Sequence, residues 1–381
     1  MFWHKAQGWP WGSMHLMEID RRALLTGTAA IAACPLLPHH AWSEERQLFA
    51  AALREPMGGY AAAIFSIENG EMSRVVLPSR GHSFAARPGT KDCIAFARRP
   101  GTFAVAFGAD TNRPPLWFAT KPNRHFYGHG VFSSDARLLY STENDFDGRR
   151  GMIGVRDATN SYQQIGEFSS GGVGPHDIAL LPDGRTLVVA NGGIKTHPDS
   201  GRAHLNLESM TPSLVYIDTQ SGEVLEHHEL PPELHQLSIR HLTVAEGGCV
   251  VFGCQHKGPR NEQPVLIGFH KRGEALQLAE IPQDANAQLK GYVGSICADQ
   301  TGGLVAATSP KGGVALYLDV SAQRFIGLAP FGDASGVVAR GETSGFLLTS
   351  GSGNLAWGRP DKTQLLTGAL ASAWDNHVSR L

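Results

Sequence analysis

A strand, a turn and a second strand recur six times along the chain, and this repeat restricts the fold more than any other feature. The clearest copy is GPHDIALLPDGRTLVVAN, Gly174 to Asn191, where two apolar runs flank a Pro-Asp-Gly turn. Related stretches open at Gly81, Gly128, Ile239, Val293 and Ala334. An isolated pair of strands is marginal in water, so each copy must belong to a larger sheet. A third strand follows each: GTFAVAF from Gly101, GMIGVRD from Gly151, PSLVYID from Pro212, PVLIGFH from Pro264, GVALYLD from Gly313 and GNLAWGR from Gly353. Many units run on into a fourth, such as GEVLEHHEL, Gly222 to Leu230. Four strands in about 40 to 50 residues is the repeat of a β-propeller blade.

Six units are counted in this way, and the seventh is split. Leu48 to Ser79 holds three strands without an opening one, and SAWDNHVSRL at the C-terminus is a lone strand. Joined, they make one blade from both chain ends, which closes the ring and hides the edges of an open array. The expectation is therefore an all-β, seven-bladed propeller of the YVTN or WD40 kind over residues 44–381. The composition agrees, because 45 Gly and 22 Pro supply tight turns in quantity.

Residues 1–43 read differently. Arg21 and Arg22 precede a modest apolar segment, Leu24 to Leu37, that Gly27 and Pro35 interrupt and that is too short to span a membrane. This is the pattern of a twin-arginine export signal, read by a receptor. It implies a periplasmic protein with no transmembrane span in its mature form; IAAC, ending at Cys34, offers lipoprotein anchoring as an alternative. A formal charge of −2 without a long basic run excludes the footprint of a nucleic-acid binder. No Cys-x-x-Cys pair occurs, so covalent haem is not expected; Cys249 and Cys254 either form a disulfide or, like Cys93 and Cys297, are buried thiols.

Seventeen histidines are the unusual count. With the units aligned, His82, His129, His176, His241 and His377 fall at one position, just ahead of the innermost strand of their blades, and Ser295 and Ser335 or Gly336 take it in the other two. Two readings are open. In WD-type propellers a Gly-His pair at this place ties loops together by hydrogen bonds. Alternatively, five imidazoles around one channel mouth form a site for a transition metal, iron or copper first. The loops between second and third strands share that face. They bring Glu143, Asn144, Asn191, His197 and His256 as candidate contacts for a cofactor or small-molecule ligand. No His-Glu-x-x-His helix, Walker loop, Gly-x-Ser-x-Gly elbow or dinucleotide fingerprint is present.

The twin-arginine start, the repeated Gly-His, the stretch GPHDIALLPDGRTLVVANGGIKTHPD and the terminal WDNH together resemble the bacterial domain-of-unknown-function family 1513. The resemblance implies a periplasmic seven-bladed propeller whose gene neighbours serve iron uptake, and hence periplasmic iron-uptake proteins as partners. It carries over no catalytic residues. Three functions remain in play: a metal-binding or iron-uptake accessory protein; a metal-dependent enzyme, either a lactonase-like hydrolase using Glu143, Asn144 and Asn191 or a copper or iron oxidoreductase at the histidines; and a protein-binding scaffold.

Overall fold

The computed structural model describes residues 47–201, 203–341, 344–366 and 372–381. Arg21, Arg22 and Cys34, on which the export and lipoprotein expectations rest, lie outside them.

The middle strands of the repeat, such as TLVVAN (Thr186–Asn191) and SLVYID (Ser213–Asp218), are apolar almost throughout and buried at every residue. Continuous apolar runs are what strands covered on both faces require. Peripheral strands such as GEMSRVVL (Gly70–Leu77) alternate instead, since one face meets solvent. The result is seven antiparallel sheets of four strands each. In blade 1 the order from the axis outward is Ala373–Arg380, Phe49–Arg54, Tyr60–Ser66 and Gly70–Leu77. Blades 2 to 7 begin at the axis with Gly81–Ala86, Arg124–Phe132, Pro175–Leu180, Leu237–Val244, Ser295–Ala298 and Ala334–Ala339. Each innermost strand touches the next, and Ala373–Arg380 touches both Ala334–Ala339 and Gly81–Ala86, so the seven-bladed ring is closed.

The closure is the split blade expected from the sequence. Phe49 pairs with Arg380, Ala51 with Val378 and Leu53 with Trp374. Between blades 1 and 7, Trp374 meets Phe65 at 4.9 Å between ring centroids, the rings tilted by 32°, and packs with Leu347 and Leu355. Comparable apolar layers fill the other interfaces, the largest running through blades 4, 5 and 6 around Phe252 and Phe269. Among the described residues the one α-helix is Gln283–Gln288, and no helix is long and apolar enough to cross a membrane.

Candidate functional site

Six of the seven innermost strands carry a register shift against their neighbour at the same depth. The shifts lie between Gly81 and Phe84, Phe126 and Gly130, Pro175 and Asp177, Ile239 and His241, and Ala334 and Gly336; opposite Ala52, a sixth lies between Trp374 and Val378. A β-bulge frees residues from the ladder and re-aims their side chains. His82, His129, His176 and His377 fall inside these shifts, and His241 directly follows the extra residue Arg240. The five histidines thus sit on the innermost strands, at the bulges, and not in the loops ahead of them where the sequence repeat puts them.

The bulges bring all five rings together. His82 lies 5.0 Å from His129, 5.5 Å from His176 and 4.6 Å from His377, between ring centroids. His241 is 4.7 Å from His176 and 4.9 Å from His377. None is more than 6% exposed. Gly128 makes the approach possible: its φ is +107°, and a Cβ there would lie 2.5 Å from Cδ2 of His82.

Hydrogen bonding separates the two readings of this cluster. Six of its ring nitrogens are buried without a partner: Nδ1 of His82 and His176, Nε2 of His129 and His377, and both nitrogens of His241. Buried polar atoms in native proteins are nearly always paired, so six orphans at one point are not what histidines that tie loops together by hydrogen bonds would show. Two of the rings have a polar neighbour at their other nitrogen. His129 Nδ1 lies 2.9 Å from Asp177 Oδ1, on the opposite side of the ring from its unpartnered Nε2. Asp177 is itself fixed by the backbone amides of Ile178 and of Leu242 in the next blade. His377 Nδ1 faces the Ser295 hydroxyl at 3.4 Å, and Asp375 Oδ1 lies 3.7 Å from His82 Nδ1, too far for a hydrogen bond. Burial drives His82 down to about 3, against the pull of Asp375. Burial likewise pushes His176, His241 and His377 well below the usual 6.5. These four imidazoles are neutral at pH 7, the form that ligates metals. Two triads result, His82 with His129 and His176, and His129 with His241 and His377, each with its ligand nitrogens within 4.8 Å of one another.

A second group, Glu226, His228 and His270, has similar spacing but a different chemistry. His270 Nδ1 accepts from the Tyr216 hydroxyl at 2.6 Å and its Nε2 donates to the Glu274 carbonyl at 2.9 Å. Glu226 receives Arg272 and the Gly273 amide. Every donor and acceptor of His270 is used within the fold, so this cluster ties blades 4 and 5 together.

The loop residues singled out by the sequence do not converge. Glu143, fully buried, receives Arg156 Nη2 at 2.8 Å and the Ser141 hydroxyl at 3.0 Å. Arg156 in turn lies over the rings of Phe118 and Phe126. Asn144 donates to His125 Nε2 at 2.9 Å and to the Thr196 carbonyl. Asn191 accepts from the Ser170 hydroxyl and donates to the Ser170 carbonyl. His197 accepts from the Asp199 amide in a short turn, and His256 lies 3.5 Å from Glu262. Cys93, Cys249, Cys254 and Cys297 are free thiols, so the possible disulfide between Cys249 and Cys254 is absent.

A cavity of about 150 Å³ opens directly onto the cluster and shares His82, His176 and His241 with it. Its remaining wall comes from residues the sequence reading passed over, chiefly Arg98, Arg99, Tyr127, Arg240, Lys257 and Tyr292. Burial, with Arg99 nearby, lowers Arg240 to about 10. A local signal was there only in IRH at blade 5, where Arg240 directly precedes an aligned histidine.

Residues 75–381 match the family described as Protein of unknown function (DUF1513). Among curated proteins none matches. Among solved structures, hydrazine synthase from Kuenenia stuttgartiensis superposes with a TM-score of 0.59 at 15% identity, covering 78% of this chain and 89% of that one. At that identity the likeness is one of fold alone.

Proposed function

This chain belongs to the DUF1513 family, and we propose that its propeller is a transition-metal-binding protein whose site is the histidine cluster on the axis. One observation carries this reading: five buried imidazoles meet with six ring nitrogens that nothing among the described residues satisfies. Neutral imidazole suits iron, copper, zinc and nickel, whereas magnesium, calcium and manganese favour the carboxylate oxygens that both triads lack. Metal–nitrogen bonds of about 2.0 to 2.1 Å place ligand nitrogens roughly 3.3 Å from each other, which lies inside the 4.8 Å limit that both triads meet. Asp177 is placed to orient one ligand from behind, as carboxylates do in histidine metal sites. The family resemblance favours iron as the ion and periplasmic iron uptake as the process. The hydrolase alternative needs Glu143, Asn144 and Asn191 to converge, and each is held in its own hydrogen-bond set.

Elemental analysis of the purified protein tests the proposal, with His129→Gln as the variant because His129 belongs to both triads. The expected result is about one first-row transition metal per chain, lost in the variant, since Gln replaces a hydrogen bond but ligates poorly. A protein that carries no metal and takes up none from Fe(II), Cu(II) or Zn(II), or a variant that keeps its full content, overturns it.

A further inference from the structure

Histidine metal sites divide by whether the protein closes them. A structural ion is surrounded by its protein ligands, whereas an ion that does chemistry keeps a position for water or substrate. The axial cluster offers odd numbers of donors, three imidazoles in each triad and five in all. Three leave one corner of a tetrahedron empty, and five leave one corner of an octahedron. The surroundings decide which way that corner faces. His129 and His377 do not line the cavity, and their other nitrogens meet Asp177 at 2.9 Å and the Ser295 hydroxyl at 3.4 Å. His82, His176 and His241 form the cavity wall and carry four of the six unpartnered nitrogens. Little else on this side closes the shell. The lining holds no carboxylate or thiolate, and its one other histidine, His204, is an exposed loop residue. Its phenols, Tyr127 and Tyr292, already contact Thr196 and Asn376. Arg240, directly before His241, lines the same cavity, and its Nε is buried without a partner among the described residues. Such a donor costs its desolvation until an acceptor arrives.

We propose that the axial metal keeps one coordination position open toward the cavity, and that a small exogenous ligand takes it, bonding the ion through one atom and accepting a hydrogen bond from Arg240 through another. The inference rests on the metal reading and adds to it the class of ligand: a compact inorganic anion with a donor atom at each end, of the size of azide or nitrite. The cavity of about 150 Å³ has room for such a ligand among a few waters. A charge-assisted bond from a guanidinium at its far end favours an anion over a neutral ligand of the same size. Exchange at this position gives the cluster the form of a reactive centre, not that of a structural or storage ion.

The test uses protein loaded with Cu(II), because azide bound to that ion gives a charge-transfer band that neither partner shows alone. Azide should raise this band to saturation, and elemental analysis after dialysis should find the copper still in place. In Arg240→Met the azide dissociation constant, measured per bound copper, should rise about tenfold to a hundredfold, the loss of one charge-assisted hydrogen bond. A second readout needs no variant: the copper-loaded protein should speed the relaxation of solvent water protons, and azide should suppress that effect. Copper that binds but shows neither the band nor the relaxation is enclosed by its histidines, which overturns this inference and leaves the metal site standing. Azide that strips the copper overturns it too, since the anion would then be competing with the histidines. An azide affinity that Arg240→Met leaves unchanged overturns the part assigned to Arg240. A protein that takes up no metal overturns the metal site, and this inference with it.

Discussion

Acid should unfold the metal-free protein through its axial histidines, well above the range where carboxylates titrate. In the folded chain burial holds His82 at about 3, and keeps His176, His241 and His377 well below 6.5. Once unfolded, each regains an ordinary value near 6.5. Between pH 7 and pH 5 the unfolded chain therefore binds protons that the native chain does not, and stability falls as pH falls. The contribution is fully present above about pH 6.5 and drains away toward the folded values. At about 1.4 kcal/mol per proton per pH unit, His82 alone costs about 2 kcal/mol over that interval, and His176, His241 and His377 act in the same direction. Total stabilities are typically about 5 to 15 kcal/mol, so the loss is a large share of the whole. His125, which burial lowers to about 4, adds to the same slope. Paired carboxylates such as Glu226, held near 2, stay ionised in both states across this window. Urea unfolding of metal-free protein at pH 7, 6 and 5, followed by tryptophan fluorescence, measures the effect. The midpoint should drop steeply, and in His377→Gln the pH slope should shrink by one proton. A midpoint unchanged between pH 7 and 5 would refute the argument, because it would mean that the cluster is already protonated or already open to water.

Three further perturbations follow from the same geometry. Gly128→Ala places a Cβ 2.5 Å from His82 at a φ of +107°; it should cost about 1 to 3 kcal/mol and weaken metal uptake, read by melting and by elemental analysis. Glu143→Gln leaves Arg156 buried without its counter-charge and should cost about 3 to 5 kcal/mol, whereas Glu143→Leu with Arg156→Met should cost much less, and neither should alter metal content. Deleting residues 373–381 removes Trp374, Val378 and the innermost strand of blade 1, and at about 3 to 5 kcal/mol for a buried Trp alone it should abolish cooperative melting; a truncated chain with the parent's transition would refute closure by the chain ends.

The propeller was legible because its signal is local and repeated. TLVVAN and SLVYID are buried on both faces, so their apolar runs announce the middle of a blade wherever they occur. Even the split blade could be read, since three strands at one end lacked the partner that SAWDNHVSRL supplies at the other. Which histidines share a position was legible for the same reason. What they do there was not, because a β-bulge is a property of two paired strands. The shift that frees His176 depends on Pro175 meeting Asn191 while Asp177 meets Ala190, a relation that neither strand states alone.

Charge placement failed for a different reason. Arg98 and Arg99 follow the second strand of blade 2, Arg240 is the extra residue of the blade 5 bulge, and Lys257 follows the second strand of that blade. Separated by up to 159 residues of chain, they form no basic run and leave the net charge at −2. Only the ring closure converts them into neighbours. The fold carries the explanation: seven blades converge on one axis, so a single residue from each of several blades is enough to build a concentrated site. Each contribution is then too sparse to register in its own stretch of sequence. A search of similar chains for such sites should therefore align blades first and read across them at the depth of the bulge. There, in this chain, five histidines share one blade position, and Arg240 and the carboxylates of Asp177 and Asp375 all fall within two residues of it.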